Sequence, residues 1–155
     1  MTVARESVYA ALFALVSGLT DSSGDAFFNT ALRRMPTWTA TPGPAQTPAL
    51  YQVEGKEKSV VKGLGMPAKW ELYPHLVIFT SVGQDQKAIP SQILNPILDA
   101  LETVMPPGNG QAGAIRRQSL GGLVYDCRIE GEVWINEASL GGTAVALVPI
   151  RIVAL

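Results

Sequence analysis

The sequence predicts an α+β fold, with a mostly antiparallel or mixed sheet of about five to six strands packed against two main helices. Apolar side chains recur at helical spacing in residues 3–16 and 91–105. Between and after these helices, short segments alternate apolar and polar residues or are apolar throughout, and glycine- and proline-rich stretches separate them. At 155 residues, the chain fits a single domain, 1–155, that buries roughly two thirds of its unfolded surface.

Composition excludes several classes of function. The formal net charge is -1 and only 16% of residues are charged, against about 25% in an average soluble domain, so no global attraction to nucleic acid or to a membrane is expected. Cys127 is the single cysteine and His75 the single histidine, which rules out an internal disulfide and a zinc-site spacing. We expect no catalytic, cofactor-binding or metal-binding residues. The low charge content favours an assembly in which another subunit covers part of the surface.

The N-terminal third predicts one helix and one or two short strands. An amphipathic helix from about Thr2 or Val3 to Val16, with Gly18 as its stop signal, is favoured over a signal peptide. No apolar run reaches the roughly 18 residues of a membrane span, so a cytoplasmic protein or part of a particle is expected. A short strand is possible at Asn29 to Met35, and four prolines make residues 36–48 a loop.

The middle of the chain predicts a central strand and a second helix. Ala49 to Val53 alternates as a strand, and residues 54–68 are expected to project as a loop or hairpin tip. Lys69 to Val82 is apolar on both parities, which places it in the middle of the sheet, with a bulge or an edge at Pro74. The second helix starts either at the Asn95-Pro96 pair, with a residue type favoured as N-cap, or near Ser91 with a kink.

The C-terminal third predicts three strands after a loop at residues 106–119. Leu123 to Ile129 alternates, with Leu123, Tyr125, Cys127 and Ile129 on one face and Val124, Asp126, Arg128 and Glu130 on the other. Glu130-Gly131 is expected to form a tight turn into Val133 to Glu137, giving a hairpin. Ala144 to Leu155 is apolar on both faces except for Arg151. Either irregular loops or a neighbouring subunit must cover its second face.

Individual residues give weak chemical signals. His75 is interpreted as structural, Cys127 as a small buried hydrophobe, Gly63 and Gly65 as a turn, and Asp99 with Glu102 as a solvated helix face. Basic pairs and clusters fall in or beside predicted loops, where charge complementarity with a protein partner is useful. The candidate partner-contact residues are Lys56, Lys58, Lys62, Arg116 and Arg117, and the pair Arg33-Arg34 has the same character.

The order of these elements resembles a known family. The proline-rich loop, the segments PALYQV, LNPILDALE and LGGLVYDCRIEG, and the terminal ALVPIRI strand are similar to tail terminator, or tail completion, proteins of long-tailed bacteriophages, from about Arg5 to Leu155. The resemblance implies a small virion protein that assembles in the host cytoplasm. It also implies a hexameric ring that ends tail-tube growth and joins the major tail tube protein to the head connector. DNA would pass through the ring lumen without specific binding, and the family has no catalytic residues to transfer.

Two alternatives stay open at this point. One is another head-tail joining or neck protein. The other is a small α+β ligand-binding or enzymatic domain whose site consists of scattered residues. A ring of about six copies favours an assembly protein, whereas a stable monomer with a deep pocket favours the second alternative.

Overall fold

A six-stranded sheet forms the centre of the molecule, in a computed structural model that describes residues 4–37, 42–106, 117–137 and 141–154. The order along the sheet is β1-β2-β3-β6-β4, with β5 also paired to β6. β1 is parallel to β2 and the other pairings are antiparallel. The predicted α+β class with a mixed sheet and two helices is confirmed. The elements are α1 (Arg5–Ser17), β1 (Thr30–Leu32), β2 (Ala49–Val60), β3 (Lys69–Ser81), α2 (Ser91–Val104), β4 (Val124–Ile129), β5 (Trp134–Asn136) and β6 (Thr143–Ala154).

The main core lies between the two helices and one face of the sheet. Alternate residues of β6 are buried there, as expected for side chains that point to opposite faces along a strand. α1 contributes Leu12 and Val16, and α2 contributes Leu94, Ile97 and Leu101, all of them fully buried. We call this side of the sheet the helix-covered face and the opposite side the open face. Neither of the described helices is long and apolar enough to cross a membrane.

Both helices are where the sequence places them. Gly18 ends α1 as predicted: its amide donates to the carbonyl oxygen of Ala14, and the next amide, that of Leu19, donates to the carbonyl oxygen of Val16. α2 begins at Ser91, and Pro96 lies inside it. Of the two predicted starts for this helix, Asn95 is therefore wrong. Pro96 has no amide proton to donate to the preceding turn, and the buried stripe of α2 holds the helix together around it.

β2 is longer than predicted. Residues 54–60, four of them charged, continue the strand, and residues 56–60 pair with β3 up to the register of Val60 and Lys69. The predicted loop is therefore reduced to the turn at residues 61–68. β3 lies between β2 and β6, which confirms its central position. The bulge expected at Pro74 is present, but in the partner strand: the register shifts between Val53 and Lys56. A side chain at Gly55 would meet the Tyr73 carbonyl oxygen at 2.1 Å.

β4 and β5 do not form the predicted hairpin. Both strands run in the same direction along one edge of β6, and residues 130–133 between them stand opposite only Val148 and Pro149. Pro149 cannot donate a ladder hydrogen bond, although its carbonyl accepts from the Glu130 amide at 3.2 Å. Gly131, with φ of 121°, lets the chain bulge over the proline ring, which would lie 3.1 Å from an added Cβ.

The side chains of β4 do not all point to the predicted sides of the sheet. Its register against β6 shifts between Val124 and Asp126, so Tyr125 is an extra residue. This bulge puts Val124 and Cys127 together in the core and leaves Leu123 and Tyr125 exposed. The predicted face of Leu123, Tyr125, Cys127 and Ile129 is therefore wrong for its first half. The loops expected at 36–48 and 106–119 fall partly outside the described residues, at 38–41 and 107–116.

Candidate functional site

The open face of the sheet divides into an apolar half and a charged half. The apolar half contains a cluster of four buried residues, Ala49, Tyr51, Val77 and Phe79. Met35 covers part of this cluster, and Val145 and Leu147 of β6 pack against it while remaining partly exposed. The second face of β6 is thus half-buried within the chain in this region.

The charged half is a network of ion pairs centred on β6. Arg151 contacts Glu71 of β3 at 2.6 Å and Glu130 at 3.1 Å. Arg128 contacts Glu130 at 2.5 Å and Asp126 at 3.1 Å. The network links β3, β6 and the end of β4, so it ties three strands together on the face that neither described helix covers.

The network lowers the pKa of two carboxyl groups. The Tyr73 hydroxyl donates to Glu71 at 2.5 Å, and this bond, followed by the one from Arg151, lowers the pKa of Glu71. Partial burial of Glu130 opposes its ionisation, but the donors Arg128 and Arg151 outweigh that effect and leave its pKa lowered. Both carboxylates are consequently ionised at neutral pH.

Four predicted contact residues are described, and they form two groups on this half of the molecule. Lys56 and Lys58 stand opposite Tyr73 and Glu71 in the ladder, and directly opposed residues share a face, so both lysines lie along the open face. Lys62 lines a groove of about 240 Å³ with Lys69 and Tyr125. Arg116 lies outside the described residues.

Tyr125 brings together two basic positions that are distant in sequence. The Arg117 guanidinium carbon is 4.4 Å from the centre of the Tyr125 ring, and the Lys69 Nζ is 5.4 Å from it. Both distances are in the range of cation–π contacts. The groove therefore has basic side chains beside an exposed aromatic ring, and Glu71 and Asp126 also line it. By contrast, Arg33 is engaged within the chain, because it forms two hydrogen bonds to Glu6.

The sequence did not identify two surfaces as apolar and exposed, although it predicted that the first of them projects from the fold. The first, the hairpin tip at residues 61–68, carries Val61, Leu64 and Met66, and Leu64 is fully exposed. The second, the β5 patch, is the sheet edge formed by Val133, Trp134 and Ile135. Trp134, which is 53% exposed, pairs with Leu147 of the open face, whereas Ile135 pairs with Ala146 of the helix-covered face. The apolar content of both segments is visible in the sequence. Their exposure depends on the length of β2 and on the bulge before β5, which local periodicity does not reveal.

Cys127, Asp99 and Glu102 lie where the sequence places them, in the core and on the exposed side of α2. Cys127 is buried beside Met105, with 3.7 Å between the sulfur atoms, and burial raises the pKa of its thiol to about 12. The thiol is therefore protonated and packs as a small hydrophobe, as predicted. Asp99 and Glu102 are exposed on α2, as expected for a solvated face. Within the described ranges, no group of three or more histidine, cysteine, aspartate or glutamate residues is arranged to hold a metal ion.

Comparison with known proteins finds likenesses among solved structures. No protein-family model matches the chain, and no curated protein matches it significantly. Among the solved structures that match is a chain of the virion of a native gene transfer agent particle, at 12% identity, with 98% of this chain and 94% of that chain covered and a TM-score of 0.42.

Proposed function

We propose that this chain is a structural virion protein that caps a phage-type tail tube as a ring, ends tube growth and provides the surface to which the head connector attaches. The observation that carries the proposal is the position of its exposed groups. Large apolar side chains are exposed on the hairpin tip and on β5, and lysines follow the open face along β2. Exposed apolar surfaces on an otherwise well-packed domain indicate contact with other proteins.

The segments that resemble tail terminators support the same role. LNPILDALE is the amphipathic helix α2, and ALVPIRI is the middle of β6. These segments form the core and centre of the sheet, which is the part a ring subunit needs in order to present its edges and loops to neighbours. The role is one of assembly and requires no catalytic group.

Inactivating the coding sequence in the genome that encodes this chain tests the proposal. Loss of a tail terminator leaves tail tubes that grow beyond their normal length and heads without tails, both visible by negative-stain electron microscopy. Tails of normal length beside separate heads would instead identify a head-tail joining protein. Normal joined particles would contradict both assembly roles.

A charge-reversal variant tests the basic residues separately. Replacing Lys56, Lys58 and Lys62 by glutamate is expected to impair tail joining while the far-UV circular dichroism stays that of the folded chain, because all three side chains are exposed. Lys87→Glu is a matched control, since Lys87 is exposed in a turn outside this face. Normal particle assembly by the triple variant would exclude these lysines as a partner contact.

A further inference from the structure

The hairpin tip is an apolar surface surrounded by positive charge. Val61 and Met66 are each 62% exposed, and Leu64 between them is fully exposed. Residues 54–69 contain four lysines against two glutamates, a net charge of +2. One of those glutamates, Glu57, is paired with Arg5 at 2.7 Å, so less negative charge is available to a partner than the sequence suggests.

The β5 patch has the opposite electrostatic character. Residues 130–137 include the three apolar side chains of the patch, three glutamates and no basic residue. Glu132 is exposed next to Val133. Glu130 is 43% exposed, but Arg128 and Arg151 already pair with it, so it contributes less negative charge to the border than Glu132. An apolar centre with an acidic border therefore matches an apolar centre with a basic border.

The two surfaces lie on different edges of the sheet. β1 pairs only with Ala49, Leu50 and Tyr51, so the distal half of β2, which leads to the hairpin tip, is on one outer edge. β5 pairs with β6 on the side away from β3, at the other edge. A chain cannot bring these surfaces together on itself without unfolding the sheet between them.

We propose that the hairpin tip of one copy docks on the β5 patch of the next copy, with lysine residues of the hairpin facing the glutamates that border the patch. This contact is heterologous, because each copy contributes its hairpin tip to one neighbour and its β5 patch to the other. Such contacts form a ring when the rotation from one copy to the next closes, and an open filament when it does not. The inference rests on the proposed ring and adds the identity of the two surfaces that hold it together.

Native mass spectrometry of two full-length variants and their mixture tests the contact. Leu64→Glu in the tip and Trp134→Glu in the β5 patch are each expected to convert the ring to monomers, because each removes one half of every contact. When the two variants are mixed, the intact β5 patch of the first and the intact tip of the second can still meet once. The expected product is a heterodimer that does not grow further.

A control and a charge exchange sharpen the test. Ile93→Glu, at a 38% exposed position on α2, is expected to leave the ring intact. Combining Lys62→Glu with Glu132→Lys in one chain is expected to restore assembly lost in the Lys62→Glu single variant. Circular dichroism checks that each variant is folded.

The outcomes separate this inference from the proposed function. A wild-type ring that persists in both Leu64→Glu and Trp134→Glu would overturn the contact and leave the ring proposal standing. A homodimer formed by either variant alone would also overturn it, since that result indicates a symmetric contact. A wild-type chain that remains monomeric at all concentrations tested would overturn both.

Discussion

The two faces of the sheet are held together by different interactions. On the helix-covered face, Leu72, Leu76 and Ile152 are completely buried against α1 and α2. On the open face, the same strands carry Glu71, Tyr73 and Arg151, which hold one another by ion pairs and hydrogen bonds. One face therefore supplies most of the apolar burial that stabilises the fold. The other face and the edges keep charged and large apolar groups exposed.

Truncation of matched leucines gives the largest contrast between these regions. Leu76→Ala on the helix-covered face is expected to lower the free energy of unfolding by about 2–5 kcal/mol, because it leaves a cavity in a close-packed core. Leu64→Ala in the hairpin tip is expected to change it by less than about 0.5 kcal/mol. Urea denaturation measures both values. Equal losses would show that the tip is packed and would refute the distinction.

The bulge in β2 is the next test, because it sets where the charged half of the open face begins. Gly55→Ala is expected to cost roughly 1–3 kcal/mol, since the new Cβ would lie 2.1 Å from the Tyr73 carbonyl oxygen. Gly43→Ala is the control, with nothing within 4 Å of its Cβ position. If both variants unfold at the same urea concentration as the wild type, the bulge is not constrained by Tyr73.

The ion-pair network should contribute less than the core. Glu71→Gln removes the charge from the contact with Arg151 while keeping the size of the side chain, and we expect a loss of about 1–2 kcal/mol at neutral pH. Glu102→Gln on the exposed side of α2 is the matched control and should have little effect. A loss as large as that of Leu76→Ala would mean that the open face is as important to stability as the core.

The pH dependence of this loss has a defined sign. The pKa of Glu71 is lowered in the folded chain, so its contribution is fully present above the ordinary carboxyl pKa of about 4.5. The contribution disappears as the pH falls through the lower folded-state value. The difference in stability between wild type and Glu71→Gln should therefore shrink on acidification, as measured by urea denaturation at a series of pH values. A difference that grows below pH 4.5 would contradict the network's role.

The sequence predicted the helix-covered face well and the open face poorly. Helical periodicity identifies the apolar stripes of both helices, and apolar residues at both odd and even positions identify β3 as central. These features are predictable because the burial of each element follows the spacing of its own apolar residues. The charged half of β2 was interpreted as a loop, since alternation of lysine and glutamate is also typical of solvated turns. Its strand conformation depends on the backbone ladder with β3, which is a non-local partner.

The candidate site was only partly visible for the same reason. Lysine and arginine residues were identified by type, but the approach of Arg117 to Tyr125 depends on the bulge that turns the ring outward. The break between β4 and β5 depends on Pro149 in the facing strand. A glycine after Glu130 fits both a tight turn and a bulge, and only the partner strand decides between them.

The mass of the intact wild-type assembly tests the central claim most directly, namely that surfaces outside the helix-covered face join copies of this chain into a closed ring. Native mass spectrometry over a range of protein concentrations should give one dominant species of about six copies of the 16.5 kDa chain, and negative-stain images should show a ring with an open centre. A species that stays at the mass of one chain throughout would contradict it, as would an open series of growing oligomers.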